Sequence, residues 1–185
     1  MPKLLDAEVP GDERGALLIC LEGQRQAVRR AVSGLTPEQA VSTPSTSALS
    51  LAGLVKHLAE AEETWLSYAR GLPRPTPRDR DNWHGSFALE GAETPRGVLD
   101  TYAAVARQTE RLVRAVPSLD DTFVLPEAPW FPRGPRSWRW MLLNLISEVA
   151  RHAGHADVIR ETLDGRTAGE LTAEPGPAPR ADGTP

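Results

Sequence analysis

The chain has 185 residues, 40% of them hydrophobic and 25% charged, and 21 Lys and Arg against 25 Asp and Glu leave a net charge of −4. That length suits one domain with a real core, and a mildly acidic balance gains little from a phosphate backbone, which argues against a nucleic-acid binder. One cysteine excludes an internal disulfide and a zinc site built of several thiolates.

The apolar run around Met141–Ile146 is broken by Asn144 and falls far short of the ~20 residues of a membrane span. Asp6, Glu8, Asp12 and Glu13 stand where a signal peptide would be apolar, so the cytoplasm is the expected compartment.

Four long segments carry helical periodicity. The first runs from about Asp12 to Ser33, with Leu17, Leu21, Val28 and Val32 in one stripe together with Gln24. Ser33-Gly34 and Pro37 stop it. In this helix Cys20, flanked by Leu18, Ile19 and Leu21, reads as a small buried hydrophobe. Arg25, Arg29 and Arg30 read as a solvated charged face. The second helix starts at Ser50, a plausible N-cap, and ends near Arg70-Gly71, with Leu51, Leu54, Leu58, Ala61 and Trp65 apolar. The third starts at Thr94-Pro95 and stops at Pro117, with Val98, Tyr102, Val105, Leu112 and Val116 on its stripe. The fourth runs from about Ser137 to Leu163 and closes at Asp164-Gly165.

No segment alternates with a period of two over a useful length, so the fold class is all-α. Four amphipathic helices bury their stripes against one another as a four-helix bundle. Residues 1–11 are expected to be an N-terminal extension, 12–165 the bundle, and 166–185, rich in Gly, Pro, Ala and charge, a disordered tail. The connections at about 71–93 and 117–136 are long for a bundle and rich in proline. Trp83-His84 and Trp130-Phe131 lie in them, where they cap the bundle or wall a pocket. Trp138 and Trp140 read as packing.

Of the four histidines, His57, His152 and His155 fall on predicted helices on or beside apolar faces. At ~100° per residue Glu148, His152 and His155 share a sector about 60° wide, together with Met141, Leu145 and Ile159. That sector turns a carboxylate and two imidazoles inward, and a buried carboxylate needs a partner. Glu148 and His152 are one turn apart, so their heads can converge on one ion. A facing helix could add His57, flanked by Leu54, Ala61 and Thr64. Two nitrogens and one oxygen suit zinc, nickel or iron(II), and three ligands leave positions open for water or substrate. The same residues also fit a plain hydrogen-bonded Glu–His pair beside an ordinary core histidine. There is no Gly-rich phosphate loop, nucleophile elbow or zincin motif.

The stretch Ala150-Arg151-His152-Ala153-Gly154-His155-Ala156-Asp157, followed by Ile159-Arg160-Glu161, resembles the last helix of DinB-like proteins of the actinobacterial branch. The segment Leu54-Val55-Lys56-His57-Leu58 resembles that family's first metal-binding helix. The likeness spans about residues 12–165. It implies an up-down-down-up bundle with one divalent metal held by His57, Glu148 and His152; the carboxylate at 148 is similar to mycothiol-dependent maleylpyruvate isomerase. It places His155 beside the ligands, to orient a ligand or relay a proton. Asn144 departs from the histidine common at that position. Arg160 and Asp157 match the family's helix and also fit an ordinary intrahelical pair.

The activity implied is a metal-dependent thiol transferase or isomerase. It would use mycothiol as cosubstrate on a small electrophile; a metal-dependent hydrolase and a noncatalytic binding bundle are the alternatives. A thiol with pKa near ~8.5 is mostly protonated at neutral pH, and a cation displaces that proton. A homodimer is compatible with the exposed faces of such a bundle.

Overall fold

The computed structural model describes residues 9–128, 131 and 133–173. Its helices are α1 (Glu13–Val32), α2 (Pro37–Val41), α3 (Leu51–Ala69), α4 (Pro95–Ala115), α5 (Trp138–Asp164) and α6 (Ala168–Ala173), with a 3-10 turn at Trp83–Phe87. The four long helices are those read from the periodicity, and each starts at a side-chain cap. Asp12, Ser50, Thr94 and Ser137 accept from the amides of Gly15, Gly53, Gly97 and Trp140 at 2.9–3.1 Å. At Gly165 the backbone turns left-handed (φ 78) and ends α5, a conformation that favours glycine.

The contacts give the helix directions. Arg139 of α5 pairs with Glu13, and Arg160 of α5 donates to the carbonyls of Ala31 and Ser33, so α1 and α5 run parallel. His57 lies beside Glu148 and Trp65 beside Trp140, so α3 and α5 are antiparallel. Arg14 reaches the Arg114 carbonyl and Arg29 lies over Tyr102, so α4 opposes α1. This is the up-down-down-up order. It explains the long segment after α3, because a parallel neighbour requires the chain to return the full helix length before α4 begins. Leu21, Val28, Leu54, Leu58, Tyr102, Val113, Met141, Leu142 and Leu145 meet in the middle, each at most 1% exposed. No helix is long and apolar enough to cross a membrane among the described residues.

Several expectations change. Where no strand was expected, Thr122–Val124 and Pro135–Ser137 form a three-residue antiparallel pair that delivers the chain to the start of α5. Inside the segment expected to be a disordered tail, α6 packs on α1 with Leu171 buried; residues 174–185 and 1–8 lie outside the described residues, as does Trp130. Cys20 is exposed rather than buried, because it sits one residue, about 100°, off the stripe that Leu21 occupies. Arg160 forms its intrahelical pair with Asp164, not Asp157, and its buried guanidinium also satisfies the free carbonyls at the end of α1.

Nor is Arg25 a solvated residue. It is 2% exposed and points inward in place of Gln24, its guanidinium forking onto the fully buried carboxylate of Glu62. The Thr109 hydroxyl donates to the same carboxylate, and Glu22 approaches Arg25 and Arg29 from the rim.

Candidate metal centre

The approach of α3 to α5 brings His57, Glu148 and His152 together. His57 Nε2 lies 3.2 Å and His152 Nε2 3.3 Å from the same oxygen, Glu148 Oε1. One donor atom from each residue lies within 4.8 Å of the other two. The two imidazoles are buried, and the Glu148 side chain keeps 34% of its surface, so the group opens to solvent on the carboxylate side.

The hydrogen bonds assign the roles of the nitrogens. Ser86 Oγ donates to the Trp83 carbonyl at 2.8 Å, which leaves it an acceptor for His57 Nδ1–H at 3.3 Å. With its proton on Nδ1, the His57 ring presents the Nε2 lone pair to Glu148. Where Nε2 carries a proton instead, hydrogen bonds from His152 and then His57 hold the carboxyl well below its usual range, against partial burial. It is therefore ionised at neutral pH. A lone pair and an ionised oxygen 3.2 Å apart repel unless a cation is shared between them, a second proton on the ring or a metal ion. The two nitrogen–oxygen separations are compatible with either: a hydrogen bond spans them, and bonds of 2.0–2.1 Å in a tetrahedron put neighbouring donors about 3.3 Å apart. The donor set, two nitrogens and one carboxylate, suits zinc and its first-row neighbours.

The wall beside His57 comes from the 3-10 turn. Phe87 stacks on the His57 ring with centroids 3.9 Å apart, and Trp83 meets it edge-on at 5.9 Å. The turn lies this close because residue 53 is glycine: a Cβ there would sit 1.9 Å from the Phe87 carbonyl oxygen. Lys56 ties the following chain to α3 through the Ala88 carbonyl and Glu93, at 2.9 and 2.7 Å.

His155 is exposed, so the expected inward sector holds one of its imidazoles rather than two; its Nδ1 lies 3.3 Å from His152 Nδ1. Glu148 is half-buried at the rim of the same sector. Trp83 meets the His57 ring edge-on, whereas His84 is exposed. The Asn144 side chain has no hydrogen-bond partner among the described residues. Trp138 is buried, and Trp140 packs in an aromatic cluster with Trp65, which also meets Phe131. Ser86 and Phe87 were not singled out by the sequence. Their partner is nearly thirty residues away across a loop, and no local spacing signals that contact.

A family model described as mycothiol-S-transferase matches residues 16–165. A crystal structure of a conserved protein from Enterococcus faecalis is similar in fold, with a TM-score of 0.63 at 17% identity over 81% of this chain and 96% of that one. No curated protein matches the sequence.

Proposed function

Because the chain belongs to the mycothiol-S-transferase family, a DinB-like family, we propose that it transfers a low-molecular-weight thiol, mycothiol, to a small electrophile at a divalent metal held by His57, Glu148 and His152. The observation that carries this reading is the convergence of two buried imidazole nitrogens on one ionised, solvent-facing carboxylate oxygen. When bound, a zinc, nickel or iron(II) ion supplies the positive charge beside which a thiol exists as thiolate at neutral pH.

The chain's own residues do the rest. Ser86 holds the His57 proton on Nδ1 and so keeps Nε2 free. Phe87 and Trp83 exclude water from the His57 side, while the half-exposed face of Glu148 leaves the approach for the reactants. His155, exposed, accepts from His152 Nδ1–H and so orients His152 with its Nε2 free toward the ion, while the thiol proton passes to solvent. The sulfur–carbon bond forms as the leaving group departs with its electron pair. Cys20 is not needed, because the cosubstrate brings the sulfur.

The test is direct. Purified chain loaded with zinc or nickel is expected to hold about one ion per molecule, to lose it on His57→Ala or His152→Ala, and to accelerate mycothiol consumption by chlorodinitrobenzene. A wild type that stays metal-free after loading overturns the metal centre in favour of a noncatalytic bundle. Ester or amide cleavage without thiol dependence overturns the transfer reading in favour of a hydrolase.

A further inference from the structure

The segment between α3 and α4 carries cations with different fates. Arg78 is saturated by the Glu60 carboxylate, its Nε and terminal nitrogen at 2.9 and 2.6 Å. Arg74, four residues earlier, has no carboxylate partner among the described residues. Its Nε is buried without a hydrogen-bond partner. Its guanidinium carbon lies 5.5 Å from the centroid of the Trp83 ring, the ring that meets His57 edge-on at 5.9 Å. The guanidinium is thus no further from the His57 ring than those two distances laid end to end. Trp83 is 42% exposed, so this corner faces solvent beside the metal centre.

A guanidinium held over an indole face by cation–π attraction leaves its terminal N–H groups available to an anion. The ring contact also restrains it in advance, so a planar anion that binds there has less ordering cost to offset. A thiol is positioned at the centre by its sulfur; an electrophile has no such anchor and needs a separate handle.

On that basis, and resting on the thiol-transfer reading above, we infer that Arg74 recognises a carboxylate on the electrophile, so that the substrates of this chain are small anionic electrophiles. Arg74 is a substrate-binding residue, and Trp83 is the platform that positions it.

The test uses a matched pair, 4-chloro-3-nitrobenzoate and its methyl ester, with the metal-loaded full chain. In both, the thiolate sulfur bonds to the ring carbon, the carbon–chlorine bond breaks, chloride leaves, and the thiol proton passes to solvent. With rates divided by each compound's uncatalysed rate, the wild type is expected to favour the acid. Arg74→Ala should lower kcat/KM for the acid about ten- to hundred-fold, mainly through KM, and leave the ester unchanged; Arg74→Lys should fall between. Metal content should not change.

Thiol-free binding of the acid, read by calorimetry, should weaken by the same factor in Arg74→Ala, which assigns the carboxylate to the electrophile rather than to the thiol. Equal losses for acid and ester, or Arg74-independent binding of the acid, overturn the inference. Arg74-dependent binding of the acid in a wild type that turns over no thiol sinks the transfer reading and leaves the carboxylate site standing.

Discussion

Two carboxylates on the inner helices share a setting and differ in fate. Glu62 is completely buried, and its oxygens are saturated by the Arg25 fork and the Thr109 hydroxyl. Glu148 is half-open, and its neighbours are the Nε2 atoms of two imidazoles rather than a fixed cation. The first arrangement is matched charge to charge and has no route to solvent, so it holds α1, α3 and α4 in place. The second has one acceptor oxygen, two convertible ring nitrogens and an opening. Access and incomplete saturation, rather than buried charge as such, separate a structural ion pair from a centre able to do chemistry.

The same substitution at both positions separates them most widely. Glu62→Gln leaves the buried Arg25 cation with only the rim carboxylate of Glu22 beside it and is expected to cost about 3–5 kcal/mol of stability, read by urea denaturation, with metal content per folded chain unchanged. Glu148→Gln is expected to cost clearly less metal-free stability than Glu62→Gln, because its carboxylate is part-open to solvent and faces no buried cation, and to abolish metal retention in equilibrium dialysis. Equal stability losses at the two sites would erase the distinction.

A smaller effect is expected one bond out from the open centre. Ser86→Ala removes the acceptor that fixes the His57 tautomer and should weaken zinc binding about 10–100-fold, measured by chelator competition; unchanged affinity would mean that the tautomer is set by other means. The smallest effect belongs to the sealed side. The Tyr102 hydroxyl is buried with no partner among the described residues, and burial, then the Glu62 charge, push its pKa upward, so it stays neutral. Tyr102→Phe should leave stability unchanged or raise it by up to about 1 kcal/mol; a loss beyond that would reveal a hydrogen bond to internal water.

The helices were legible from their stripes of period 3.6 and their Gly and Pro stops, joined at Ser50 and Thr94 by a capping residue. That His57, Glu148 and His152 come together was legible because the i, i+4 spacing picked out Glu148 and His152 and the resemblance added His57. What escaped was long-range or masked by its neighbours. Arg25 read as solvated because its partner is 37 residues away, and nothing in its own helix announces a buried acid. Cys20 read as buried because its sequence neighbours are apolar, although in a helix adjacent residues face different ways. The final helix carried a signal, Thr167 and Glu170 capping each other reciprocally, but the Gly- and Pro-rich composition around it hid the motif.

The position of Cys20 has a practical outcome. The chain's one cysteine lies at the surface of α1, so a maleimide dye or spin label attaches at a single known point without altering any residue. An aryl halide can arylate that same sulfur during an assay. In a Cys20→Ser chain, every sulfur adduct recovered must derive from the added small molecule.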